Sequence, residues 1–266
     1  VEIELNSHNL VRAFERTTSF NIAFNTNTIT KLNNEADIIS GRNRVRVGQP
    51  LGVFVEPEYA GVNPANGDAL FFVNREPTEA EISNGDVLQV EHIGDRFVTA
   101  NYNLAQDVVI GDPNPEFVGG ITNSFSYKGI DLSIFFQFVY GNDVYNTAGP
   151  FQSNNASGFV DNQTVDQLRR WRQPGDITDV PRAQLVGNVG DDQSSRYLQD
   201  ASYMRLKTLT LGYSLPQRLL ENIGLRKVRA FVSGVNLLTF TGYDGWDPEV
   251  STPGTNRSTT ASNNNS

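Results

Sequence analysis

The stretch Gly119–Tyr140, GGITNSFSYKGIDLSIFFQFVY, constrains this chain more than any other. Its side chains sort by twos. Ile121, Asn123, Phe125 and Tyr127 fall on one side of the first half, and Thr122, Ser124 and Ser126 on the other. In the second half Ile130, Leu132, Ile134, Phe136, Phe138 and Tyr140 share a side, opposite Asp131, Ser133, Phe135, Gln137 and Val139. Successive side chains leave an extended strand on opposite faces, so both halves read as strands. Lys128-Gly129 reads as the tight reversal between them, because Gly takes positive φ at no steric cost. The result is a β-hairpin with one aromatic-rich apolar face and one mostly polar face. A soluble sandwich would lay the apolar face on a core; a membrane barrel would lay it on lipid and wet the other. Periodicity leaves both open. Length leans toward lipid, since a tilted strand of about 9–11 residues crosses a bilayer.

Composition narrows the rest. No run approaches the ~20 apolar residues of a transmembrane helix. A membrane barrel escapes that test, because only alternate residues face lipid. The net charge of -9 argues against a nucleic-acid partner, which rewards basic patches. Cysteine is absent, so neither disulfides nor thiol chemistry arise. The start, Val1-Glu2-Ile3-Glu4-Leu5, is strand-like and carries no secretory signal.

In chain order, Val1–Leu5 reads as a strand end, Asn6–Thr17 as a polar connection and Thr18–Thr30 as a strand. Lys31–Phe117 is long and mixed, with one or two strands in Arg44–Val55, turn chemistry at Gly61–Gly67 and a short strand at Ala69–Val73. It reads as one large excursion with a small sheet of its own. Gly141–Gln199 is a second long loop, in which Thr164–Arg172 is expected to be a short helix ended by Pro174-Gly175. Asp200–Leu215 and Val228–Phe240 return to strand, joined by a polar turn at Pro216–Arg226. The last stretch, 241–266, loses pattern, and Thr259–Ser266 is low-complexity.

Short connections (Lys128-Gly129, Pro216–Arg226) alternate with long ones (Lys31–Phe117, Gly141–Gln199). Outer-membrane barrels sort their loops this way, short on the periplasmic side and long outside, and a sandwich has no reason to. The expected fold is therefore all-β, an antiparallel transmembrane β-barrel, here a partial wall of about six strands with long extracellular loops. On strict alternation Arg205 and Lys207 share the lipid side with Leu209, Leu211 and Tyr213, near the outer interface, as candidates for lipopolysaccharide phosphates. A solvated pair above the membrane is the competing reading.

Several stretches in order resemble one family. They include Gly111-Asp112-Pro113-Asn114-Pro115-Glu116-Phe117, Asn123–Ser133, Gly141-Asn142-Asp143-Val144-Tyr145-Asn146 and Arg170-Trp171 with Pro174-Gly175-Asp176. Asp200–Lys207, Leu209–Pro216, Asn236–Thr241 and Asp247-Pro248-Glu249 follow. Together they are similar to the C-terminal barrel of the SusC/RagA class of TonB-linked outer-membrane transporters. That resemblance implies a barrel of roughly 22 strands plugged by an N-terminal domain. It implies import of oligosaccharides or peptides, a SusD-like surface lipoprotein as partner, and energy from the TonB complex through a part not present here. The family's TonB box, plug and closing strand have no counterpart in this sequence, so the chain reads as a C-terminal fragment of the wall. Only Asn84-Gly85-Asp86 remains where many members carry an acidic run, so no calcium site is expected.

Catalysis has little to stand on. His8 and His92 are the only histidines, and no nucleophile elbow, metal-spaced cluster or phosphate-cradling motif is present. No enzyme activity, metal or cofactor is expected. Ligand contact is the sharper idea: Tyr145, Phe151, Trp171 and Trp246 are loop aromatics of the kind that stack on sugars or peptide side chains. Plain loop packing, or contact with the lipoprotein, is the competing reading for each. Asp131, Ser133 and Gln137 are expected to face the lumen, lining a transport path or merely hydrated. A soluble or surface-attached β-sandwich that binds glycans, and a passive porin, are the alternatives.

Overall fold

The computed structural model describes residues 1–33, 36–154, 162–184, 190–221 and 224–250; Thr259–Ser266 and most of the last loop lie outside them. The chain divides into two compact units. One comprises Val1–Asn27, Asn114–Asn142 and Asp200–Asp244, the other Thr28–Pro113, Asp143–Gln199 and Gly245–Ser266. No helix among the described residues is long and apolar enough to cross a membrane, which says nothing about strands.

The first unit is a wall of six long strands: β1 Glu2–Val11, β2 Phe14–Phe24, β3 Phe117–Tyr127, β4 Ile130–Tyr140, β5 Tyr203–Ser214 and β6 Arg229–Thr241. They lie side by side in chain order, every pair antiparallel. Lys128 and Gly129 both have positive φ, 47° and 86°, which is the type I′ geometry that matches strand twist. Gly129 has no substitute: a Cβ there would sit 2.7 Å from the Ser214 carbonyl oxygen.

The N-terminal hairpin departs from the sequence reading. Asn6–Thr17 is not a connection; it supplies most of β1, the Arg12-Ala13 turn and the start of β2. Asn6, Ser7, His8, Asn9, Arg16, Thr17 and Thr18 put polar groups on both faces and erase the period of two. Backbone pairing holds the segment extended regardless: β2 is laddered to β3 in register from Phe117↔Phe24 to Tyr127↔Phe14, and β1 in turn to β2.

Burial separates the two units. No residue of β1, β2, β4 or β6 is buried, although β2 and β4 are flanked by paired strands on both sides. A sandwich strand would bury every second residue. The second unit has an ordinary core instead. Its two four-stranded sheets are Asp107–Gly111, Val53–Pro57, Asn43–Val45, Ile38–Ser40 in one, and Tyr59–Val62, Ala69–Phe72, Phe97–Thr99, Leu88–Gln89 in the other. All five residues of Val53–Pro57 are buried. Phe54, Tyr145 and Tyr197 form an aromatic core with Ile110 and Leu198 packed on it. The helix expected over Thr164–Arg172 shrinks to one 3-10 turn, Val165–Arg169, because Arg170 is already extended at ψ 151°.

Candidate functional site

The register fixes what each face of the wall carries. Opposite residues in antiparallel strands share a face, so Phe117, Ile121, Phe125 and Tyr127 stand with Tyr140, Phe136, Leu132 and Ile130. Phe24, Phe20 and Phe14 of β2 join them. Rings mark both ends, with Phe20, Phe136 and Phe138 between them. Near the chain's long excursions, Phe117 lies 4.9 Å from Tyr140 and 5.7 Å from Phe24, centroid to centroid. At the tight-turn end, Phe14 lies 6.1 Å from Phe125 and 6.3 Å from Tyr127. Ten residue steps separate Phe117 from Tyr127. At about 3.3 Å per residue and a tilt of about 40°, that gives an apolar band roughly 25 Å tall between aromatic girdles, the dimension of an outer-membrane barrel.

The opposite face carries Asp131, Ser133 and Gln137, as alternation predicts. Asp131 is not merely hydrated. Arg229 of β6 reaches it across β5, Nε to Oδ1 at 3.0 Å and Nη2 to Oδ2 at 2.5 Å. Gly212 lies between them, and a Cβ there would meet the Arg229 Nη2 at 2.4 Å and the Asp131 Oδ2 at 2.6 Å.

Arg205 is not where alternation put it. Phe135 opposes Thr208 while Phe136 opposes Leu206, so Lys207 is an extra residue and β5 changes face there. On β6, Asn236 and Leu237 together oppose Lys207, with Asn236 at φ 52°, a left-handed conformation that Asn tolerates. Arg205 therefore opposes Gln137 on the polar face, 3% exposed, with Nε donating to Thr239 Oγ1 at 3.0 Å. It does not share the aromatic face with Leu209 and is not open to a lipopolysaccharide phosphate. Lys207 sits half-buried in the bulge.

The loop aromatics divide. Tyr145 is 1% exposed, so its ring is not offered to a ligand; it is core. Its hydroxyl accepts from the Ser194 N–H at 3.0 Å, and the Arg42 guanidinium lies 4.6 Å above its ring. Burial pushes its phenol up to about 12. Trp171 is packed: its indole Nε1 donates to the Pro64 carbonyl at 3.1 Å, and its ring fills the space a Cβ on Gly67 would need. Phe151 and Trp246 are open, 63% and 91% exposed. Of the four, these two present rings to solvent.

Glu56 escaped the sequence reading because it follows the apolar run Val53-Phe54-Val55 without a motif. It is 7% exposed, and burial pushes its carboxyl up to about 7 against the pull of Arg42. With its carboxamide turned to suit its neighbours, Gln193 donates to Glu56 Oε1 at 3.2 Å and accepts from Arg42 Nη2 at 3.0 Å. Among the described residues no group of three or more His, Asp or Glu converges as metal ligands would.

No family model matches the chain. Over 94% of its length it is 33% identical to TonB-dependent receptor P3 of Formosa agariphila, covering 25% of that protein. TonB-dependent receptor SusC of Bacteroides thetaiotaomicron is 24% identical over 94% of this chain and 24% of its own. The solved RagAB peptide transporter superimposes with a TM-score of 0.75 over 98% of this chain and 26% of that one, at 24% identity, a likeness of fold. The chain thus spans about a quarter of the length of the curated relatives it matches. Those relatives are receptors and transporters rather than enzymes. With a girdled antiparallel wall and matching sequence along nearly its whole length, the chain is similar to a part of the TonB-dependent receptors, SusC among them, and shares the fold of the RagAB transporter.

Proposed function

We propose that this chain is part of an outer-membrane importer that takes up oligosaccharides or peptides, energised by the TonB complex and served by a SusD-like surface lipoprotein. Its aromatic face lies on outer-membrane lipid, its polar face with Asp131, Ser133 and Gln137 turns inward, and 31–117 and 141–199 are outer loops. The observation that carries this reading is β4: an eleven-residue strand paired on both sides with no buried residue and a girdle at either end. Apolar side chains so arranged need a nonaqueous neighbour, and lipid supplies one at no cost in buried polar groups. The names of the relatives, TonB-dependent receptors and a peptide transporter, support import as the activity. A glycan-binding sandwich would need a second layer over one face of this wall.

The test uses the full-length receptor carrying this chain in cells, with uptake of labelled oligosaccharides and peptides measured with and without TonB. Import lost without TonB is expected; unchanged uptake points to a passive pore and ends the proposal. Trp246→Ala reports ligand contact, since a side chain 91% exposed contributes little to stability. Reduced binding with normal surface levels is expected; unchanged binding and uptake removes Trp246 from the site.

A further inference from the structure

The aromatic face is interrupted at one place. Arg16 opposes Phe125 and Thr18 opposes Asn123, so polar side chains stand in the same rows as Phe14, Phe20 and Phe24. They are organised. Arg16 Nη2 donates to Asn123 Oδ1 at 3.2 Å, and Thr18 Oγ1 donates to the same oxygen at 2.9 Å. Asn9 Nδ2 donates to Thr18 Oγ1 at 3.0 Å. Each acceptor in this cluster already receives an internal donor. The donors left facing outward are Asn123 Nδ2 and Arg16 Nη1, while the Arg16 Nε is buried without a partner. The guanidinium, 5.6 Å from the Phe125 ring centroid, has no carboxylate beside it among the described residues.

The location matters as much as the chemistry. Arg16 is one pair step from the Phe14–Tyr127 pair at the tight-turn end of the wall. That is about 7 Å along the strand, with the guanidinium turned inward to Asn123, four residues from Tyr127. Short turns lie on the periplasmic side of such barrels. The notch therefore opens just inside the headgroup region of the inner leaflet, whose phosphodiesters are the abundant anions and are drawn in toward a buried cation by local thinning of the bilayer.

We propose that Arg16 and Asn123, framed by Phe14, Phe125 and Tyr127, hold the phosphate of a phospholipid of the inner leaflet, with the girdle rings packed on its glycerol and upper acyl chains. This rests on the membrane reading above. A guanidinium and a carboxamide N–H converge on phosphate oxygens as charge-assisted donors, and the bond neutralises a charge that otherwise faces hydrocarbon.

The full-length receptor in mild detergent is mixed with phosphatidylglycerol or with diacylglycerol of the same chains, and bound lipid is counted by native mass spectrometry. Wild type is expected to retain phosphatidylglycerol and not diacylglycerol. Arg16→Gln should retain roughly tenfold less, the loss expected for one charge-assisted contact, with partial recovery in Arg16→Lys. Asn123→Asp, which sets a carboxylate against the phosphate at unchanged volume, gives the same answer if the first variant folds poorly. Equal retention in wild type and both variants overturns the proposal. So does displacement by millimolar inorganic phosphate, which assigns the notch to a free anion, or a polypeptide lost from the receptor in Arg16→Gln in place of lipid. Failure of the membrane reading looks different: wild-type receptor would stay soluble without detergent and bind neither lipid.

Discussion

Replacing Glu56 by Gln should flatten the pH dependence of the loop unit's stability. Glu56 lies on the fully buried strand Val53–Pro57, and its carboxyl is raised from an ordinary 4.5 to about 7, chiefly by burial, with Asp107 adding to the rise and Arg42 and Arg44 opposing it. Below 4.5 folded and unfolded forms both hold the proton. Between 4.5 and 7 the folded form keeps it and the unfolded form does not, so stability falls as pH rises through this window. Above 7 both are ionised and the penalty is constant. The gap corresponds to roughly 3 kcal/mol at most, or about 2 once residual solvent access is allowed for. Glu56→Gln keeps the shape and an oxygen for Gln193 but carries no charge. Amide hydrogen exchange on the full-length receptor, corrected for intrinsic rates and read over Val53–Pro57 and Asp107–Gly111, should show protection dropping some 30- to 100-fold from pH 5 to pH 8 in wild type. The variant should stay level and be the better protected form at pH 8. Equal pH slopes in the two proteins, or a variant less protected at pH 8, would refute the reasoning.

The two faces can be tested with one pair of substitutions. Ile134→Arg, in the middle of the aromatic band, should cost ~2–4 kcal/mol and sharply lower the amount assembled in the membrane, whereas Ser133→Arg on the polar face should be tolerated; equal assembly of the two would show that the faces are misassigned. Gly67→Ala brings a Cβ to 2.5 Å from Trp171 Cε3 and 2.9 Å from Arg182 Cβ, at a φ of 80°. The strained backbone and the overpacking together should cost ~2–5 kcal/mol, shift Trp171 emission to the red and speed proteolysis between Pro64 and Arg182; unchanged emission and cleavage would contradict the packing described.

The sequence by itself determined β3, β4 and their turn, which face of each is greasy, and the resemblance to the TonB-dependent receptors. The reason is local: a strict period of two over eleven residues needs nothing from the rest of the chain to be read. It could not supply β1 and the start of β2, where polar side chains occupy both faces and only the ladders from β3 to β2 and from β2 to β1 keep the segment extended. Nor could it place Arg205, since a single extra residue at Lys207 reverses every face beyond it, and that bulge is set by how β4 and β6 pair. Tyr145, Trp171 and Glu56 teach the same lesson about burial. Tyr145 packs with Phe54, Trp171 bonds to Pro64, and Glu56 meets Gln193, each across a long span of chain. Face periodicity is written in neighbouring residues, whereas register and burial belong to pairs far apart in sequence, and only the folded chain brings those pairs together.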